Sequence, residues 1–157
     1  MDINTLVRDN IKKLKPYSSA REIKKGEGFT FLDANENPHG EGLNRYPDPL
    51  QETLKEKIAA GKNIDPSQIF LGNGSDEVID LMIRAFAEPR FDNIITTTPS
   101  YSMYKVAANI NDVEVREVLL DDDFQPDISA LMDAADEHTK LAFLCSPNNP
   151  TGNLMEE

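Results

Sequence analysis

The sequence predicts an α/β fold, a mostly parallel sheet with helices on both faces. Apolar runs of strand length alternate with amphipathic stretches from residue 49 onward. The strand candidates have no polar face, as expected for strands covered on both sides. Turns rich in Gly, Asn or Pro follow three of those strands.

The elements follow in order. Ile3, Leu6, Val7, Ile11 and Leu14 share one helical face and Pro16 ends the pattern, so Ile3 to Leu14 reads as an amphipathic arm. A turn at Lys24 to Gly28 leads into a short strand, Phe29 to Leu32, and then into a polar loop running to Pro49. A helix over Pro49 to Ala60 aligns Leu50, Leu54 and Ile58, and Ile69 to Leu71 reads as a short strand. The helix Ser75 to Ala87 is apolar on more than one side, which predicts burial. Strands are expected at Ile94 to Thr97, Val113 to Leu119 and Leu141 to Cys145, the last a continuous apolar run deep in the sheet. Helices are expected from about Tyr101 and through Ile128, Leu131, Met132 and Ala135. No internal repeat or low-complexity segment is present.

Composition narrows the function classes. With 39% hydrophobic and 28% charged residues, the chain has the balance of a soluble globular protein. No apolar run approaches the roughly 20 residues of a membrane span and no secretory signal opens the chain, so a cytoplasmic location is expected. The net charge of −12 argues against general affinity for nucleic acid or anionic membranes. That charge is uneven: residues 1–25 carry seven Lys or Arg against three acids, and residues 112–137 carry ten acids against Arg116 alone. One cysteine and two histidines exclude a disulfide framework and supply no metal-ligand cluster. Asp121, Asp122 and Asp123 read as a solvated turn, His39 and His138 lack acid–base partners, and Cys145 reads as a small core hydrophobe.

Three motifs carry chemistry. Gly72-Asn73-Gly74-Ser75-Asp76-Glu77 joins a strand to a helix, where Ser75 can cap the helix and free N–H groups at its positive end suit a phosphate. A glycine turn before a helix is a weak signal alone. Cys145 to Gly152 follows an apolar strand, at the sheet edge where α/β proteins gather ligands, and an Asn amide there can hydrogen-bond a ring oxygen. Pro99 to Tyr104 also follows a strand and presents Tyr101, which can stack on a flat heterocycle.

These motifs occur in the order and spacing of the fold-type I pyridoxal-phosphate enzymes, and Asn149-Pro150-Thr151-Gly152 matches the Asn-Pro-x-Gly signature of that superfamily. Pro16 to Arg21, Leu32 to Pro38, Arg45 to Pro49 and Gly72 to Glu77 together resemble the histidinol-phosphate aminotransferase family over essentially the whole chain. The resemblance implies part of the large domain of a fold-type I pyridoxal-phosphate transferase, with residues 1–45 as N-terminal arm and substrate-side loop and residues 46–157 as an incomplete cofactor-binding domain. It implies that backbone N–H groups of Ser75 and Asp76 hold the phosphate of pyridoxal 5′-phosphate, that Tyr101 stacks on its ring, and that Asn149 binds its phenolic oxygen. Tyr46 is implied to reach the cofactor phosphate of the other subunit of a homodimer. Tyr17, Asn35, Glu36 and Asn37 are implied to line the substrate side. The short stretch from Pro38 to Arg45, Arg90 after Glu-Pro, and Ser100 and Ser102 depart from the commoner family pattern without removing a required side chain.

The activity so implied is transfer of an amino group between histidinol phosphate and 2-oxoglutarate in histidine biosynthesis. The family's Schiff-base lysine lies downstream of the Asn-Pro-x-Gly motif, and Lys105 and Lys140 read as solvated side chains. No catalytic residue is therefore assigned, the chain reads as the truncated N-terminal part of such an enzyme, and no turnover is expected from it alone. Two rivals stand beside this reading: a threonine-phosphate decarboxylase of the same fold, and a non-catalytic module retained for binding or assembly.

Overall fold

The structure, a computed structural model, describes residues 2–16, 30, 32, 34–37, 39, 42 and 46–156. The expected strand Phe29 to Leu32 falls on residues of which Phe29 and Phe31 lie outside that set. The chain forms two compact units, Met1–Leu14 with Gly72–Glu157, and Lys15–Leu71.

The first unit contains a parallel sheet. Its strands are β1 (Asn93–Thr98), β2 (Glu114–Leu119) and β3 (Thr139–Phe143), in the order β2-β1-β3. The helices of this unit are α1 (Asp9–Lys12), α3 (Ser75–Phe86), α4 (Met103–Ile110) and α5 (Ile128–Ala134). The other unit contributes α2 (Glu52–Lys62). Parallel neighbours need crossovers, and α4 and α5 lie in them.

Ile79 and Ile83 of α3, Ile94 of β1, and Tyr104, Ala107 and Ala108 of α4 form the core, with Leu141 and Phe143 of β3 packed on it. Val115 of β2 packs there too, whereas the next residue, Arg116, donates from Nη1 to the carbonyl of Ala134 at 2.8 Å. Successive strand residues face opposite ways, so α3 and α4 cover one face of the sheet and α5 borders the other. β1 is accordingly buried along both faces. β3 is an edge strand and only half-buried rather than deep in the sheet, because β1 is its one neighbour among the described residues.

Local chemistry sets the helix ends. Asp76 and Glu77 sit in the first turn of α3 and Arg84 in the last, matching the helix dipole, and Arg84 Nε donates to Asp80 Oδ2 at 2.8 Å. Of the apolar residues that predicted burial, Ile79 and Ile83 are buried but Met82 is exposed, as is Leu81 beside it, because the core touches one stripe. Asp127 caps α5 by accepting from Ala130 N–H at 3.0 Å.

The expected continuous arm helix is instead a 3₁₀ turn, Ile3–Thr5, followed by the four-residue α1. Arg8 breaks the pattern. Its N–H donates to Ala85 at 3.0 Å, its Nη1 to the Arg84 carbonyl at 2.9 Å, and its Nε to Glu88 at 2.8 Å. A helix this short is marginal alone, and the unsatisfied carbonyls at the end of α3 offer the better partner.

At the amino ends of the strands, buried Asn93 donates to Asp136 Oδ1 at 3.0 Å and accepts from Thr139 Oγ1 at 2.7 Å. Arg116 Nη2 lies 2.7 Å from Asp136 Oδ2. The Asn93 hydrogen bond first, then the Arg116 bond, hold the Asp136 carboxyl well below the usual carboxylate range. A depressed folded-state pKa gives stability that is present above the unfolded value of about 4 and is lost as pH falls through the folded one. Asp136→Asn is therefore expected to flatten the stability loss below pH about 4, read from urea midpoints at stepped pH.

In the second unit, Asp48 accepts from Leu50 and Glu52 N–H at 3.0 and 2.8 Å and so organises the start of α2. Ala59 is buried, while Leu50 and Leu54 of the expected apolar line are exposed. Ile69 to Leu71 is not a strand, since no neighbour among the described residues supplies its ladder bonds. No helix among the described residues is long and apolar enough to cross a membrane.

Candidate functional site

The carboxyl ends of β1 and β3 and the start of α3 carry four of the candidate residues, Ser75, Asp76, Tyr101 and Asn149. Gly74 precedes α3 with φ 82° and ψ 175°, and no side chain caps the helix. Ser75 is the first helical residue rather than the cap, because Gly74 occupies that position. First-turn N–H groups have no acceptor within the helix, which leaves those of Ser75 and Asp76 without a helical partner. A Cβ on Gly74 would meet nothing within 4 Å, whereas one on Gly72 would approach Val78 Cγ2 at 2.8 Å. The turn is thus closed on its inner side and open on its outer side. Glu77 Oε2 accepts from Asn73 N–H at 2.5 Å and tightens it further.

Tyr101 joins this turn directly. Its hydroxyl donates to Asp76 Oδ1 at 2.8 Å, tying the loop after β1 to the first turn of α3. That bond pushes the Tyr101 phenol above its ordinary value, with burial adding to it. The Tyr101 ring meets Tyr104 edge to face, with centroids 5.6 Å apart, and Tyr104 stacks on Phe143 at 4.9 Å. The ring that could face a ligand therefore rests on two further aromatics.

Burial first, then a hydrogen bond with Cys145, push the Tyr104 phenol up to about 12. An unfolded tyrosine ionises near 10, so the stability from neutral Tyr104 is whole below pH about 10 and is lost as pH rises toward about 12. Tyr104→Phe is expected to flatten that alkaline loss, measured as the urea midpoint across the same range. Asp76→Asn removes the Tyr101 contribution to the same limb and separates the two.

After β3, Asn149 is exposed and its side chain makes no hydrogen bond to a described residue, while its neighbour Asn148 is buried and fully bonded. Residue type alone does not separate the two, and only the resemblance singled out Asn149. Tyr104 and Asn148 are the residues it left unassigned, and neither shows a signal until strand ends and burial are known.

In the other unit, Glu36 Oε1 accepts from Tyr46 N–H at 2.8 Å, and Asn37 Oδ1 accepts from His39 N–H at 2.9 Å. Two of the candidates, Tyr46 and Glu36, are thus held together, with Asn35 beside them. Tyr17 lies outside the described residues.

Neither lysine weighed from the sequence is free. Lys105 Nζ lies 2.5 Å from Glu117, and Lys140 Nζ lies 3.5 Å from buried Asp92. Among the described residues no group of three or more His, Cys, Asp or Glu is placed to hold a metal ion. A polar cavity of about 270 Å³ opens at the amino ends of β1 and β2, beside Arg90, Asp92 and Asp112. The Arg90–Asp112 pair stands on its lining.

The chain is 58% identical over 155 residues to a histidinol-phosphate aminotransferase of Parabacteroides distasonis, covering 99% of this chain and 45% of that protein. It thus spans about half the length of the curated relatives it matches. Among solved structures, the histidinol-phosphate aminotransferase of Clostridium acetobutylicum is 29% identical, with a TM-score of 0.60 over 73% of this chain and 33% of that one. The histidinol-phosphate aminotransferase of Sinorhizobium meliloti, in complex with pyridoxal-5′-phosphate, is 24% identical, with a TM-score of 0.63 over 69% of this chain and 29% of that one, a likeness of fold. A family model described as aminotransferase class I and II matches residues 27–157. The chain belongs to the aminotransferase class I and II family.

Proposed function

We propose that the whole protein moves an amino group between histidinol phosphate and 2-oxoglutarate in histidine biosynthesis, using pyridoxal phosphate. The bond between Tyr101 and Asp76 carries this reading, because it places a flat aromatic ring and an uncapped helix start at one sheet edge. The identity of 58% to a histidinol-phosphate aminotransferase supports the substrate.

The residues present fit the cofactor. The open outer side of Gly74 leaves room for a phosphate at the N–H groups of Ser75 and Asp76. Tyr101 offers a ring face for stacking, and Asn149 offers for the phenolic oxygen an amide that bonds no described residue. When bound, pyridoxal phosphate supplies an electron sink for chemistry at the substrate Cα. Tyr46 reaches the cofactor phosphate of the partner subunit in a homodimer. Tyr17, Asn35, Glu36 and Asn37 line the substrate side. Residues 1–45 then serve as arm and substrate-side loop, and residues 46–157 belong to the cofactor-binding domain, in a cytoplasmic enzyme.

In the proposed enzyme the cofactor-anchoring lysine lies downstream of Asn149 to Gly152, as the resemblance implies, and Lys105 and Lys140, each held in an ion pair, do not take that role. Borohydride reduction in the presence of pyridoxal phosphate, followed by mass analysis, tests this. The 157-residue chain is expected to carry no site-specific adduct and the whole protein one. A stoichiometric adduct at any one lysine of this chain overturns the assignment. Assays of the whole protein with histidinol phosphate and 2-oxoglutarate, and with threonine phosphate for carbon dioxide release, decide the substrate.

A further inference from the structure

Asn148 is 3% exposed, and every polar group of its side chain is bonded within the protein. Its Oδ1 accepts from Ser100 Oγ at 2.9 Å. Its Nδ2 donates to the Pro99 carbonyl at 3.0 Å and to Thr151 Oγ1 at 2.7 Å, and that hydroxyl in turn donates to Asn153 Oδ1. The main chain of Asn148 is also held, its N–H by the Asn153 carbonyl at 2.8 Å and its carbonyl by Gly152 N–H at 2.7 Å.

The place of these bonds matters. The β1–β3 ladder ends at the pair Thr96 and Phe143, so no strand pairing fixes the two chains beyond it. Past that point one chain carries Tyr101 and the other Asn149. The Asn148 side chain spans the gap with an acceptor for one loop and donors for both, taking over where the ladder stops. Only an uncharged amide supplies both roles from one planar group. In aspartate at this position, a carboxylate oxygen would face the Pro99 carbonyl and the donor would be lost.

We propose that Asn148 is a positioning residue, whose amide sets the separation and tilt of Tyr101 and Asn149 around a bound pyridoxal phosphate ring. The inference rests on the cofactor reading above. Asn148 touches no ligand itself and acts through its neighbours.

The test compares Asn148→Asp, Ser100→Ala and Ser100→Thr in the whole protein. Three quantities are read: the thermal midpoint of the cofactor-free form, the dissociation constant for pyridoxal phosphate, and the circular-dichroism band of the bound cofactor, which reports its tilt. Asn148→Asp is expected to weaken binding by about tenfold or more and to change the dichroism band. Ser100→Ala does the same to a smaller extent, and Ser100→Thr, which restores the hydroxyl, recovers both. Should Asn148→Asp fail to fold, the Ser100 pair decides. Variants that lower only the thermal midpoint, with affinity and dichroism unchanged, overturn the positioning role and leave the cofactor reading standing. An unsubstituted protein that binds no pyridoxal phosphate overturns the cofactor reading, and this inference with it.

Discussion

Ile83→Ala is expected to lower the unfolding free energy by about 2 to 5 kcal/mol. Ile83 is 0% exposed in the last full turn of α3, in the same apolar cluster as Ile94, Tyr104, Ala107, Ala108 and Val113. Removing three carbons there loses the transfer free energy of the side chain and leaves a cavity. Ala107 and Ala108 are too small to fill it, and the Tyr104 ring is fixed between Tyr101 and Phe143. Two residues away, Leu81 is 42% exposed, and Leu81→Ala is expected to cost well under half as much. Urea unfolding at neutral pH compares them, and equal midpoints would mean that α3 is not packed on β1 and α4 as described.

Gly74→Ala carries the second large effect, of about 1 to 3 kcal/mol, and its origin is the backbone rather than contact. A Cβ at residue 74 meets nothing within 4 Å, yet φ 82° with ψ 175° is a region that glycine alone occupies readily. An alanine must either hold that strain or rotate the peptide that leads into Ser75, which redirects the N–H groups proposed to hold the phosphate. The expected result is a lower midpoint together with weaker pyridoxal phosphate binding. Gly61→Ala is the control, since residue 61 lies in the last turn of α2 with open space and an ordinary φ. That change is expected to be neutral or stabilising by up to about 1 kcal/mol. A Gly74→Ala protein with unchanged stability and affinity would show that the turn adopts another conformation.

Where structure depends on neighbours in sequence, it could be read in advance. The bounds of α3, α5, β1 and β2 follow from periodicity, caps and apolar runs, all visible within a few residues, whereas β3 begins and ends two residues ahead of the expected Leu141 to Cys145. The N-terminal arm could not be read that way. Its apolar spacing favours one helix, but the bonds of Arg8 to Arg84, Ala85 and Glu88 lie more than seventy residues away, and no local pattern announces them. Ile69 to Leu71 failed for the complementary reason: strand composition was present but no partner strand among the described residues. At the site, residue types and their order pointed to the helix start, to Tyr101 and to the Asn-rich loop. The contact between Asp76 and Tyr101 spans 25 positions and became visible only with the fold. The resemblance singled out Asn149, but the burial of its neighbour Asn148 was hidden for a subtler reason. Adjacent identical side chains differ only in which one the end of β3 turns inward.

The aromatic stack of Tyr101, Tyr104 and Phe143 has an optical consequence. The chain contains no tryptophan and four tyrosines, so its ultraviolet emission is tyrosine emission alone, and two of the four emitters sit at the proposed cofactor site. Centroids 5.6 Å apart permit excitation to pass between Tyr101 and Tyr104. A chromophore settling against Tyr101 would therefore quench both rings together. Occupancy of the site can be followed from the protein's own light, with no label and no turnover.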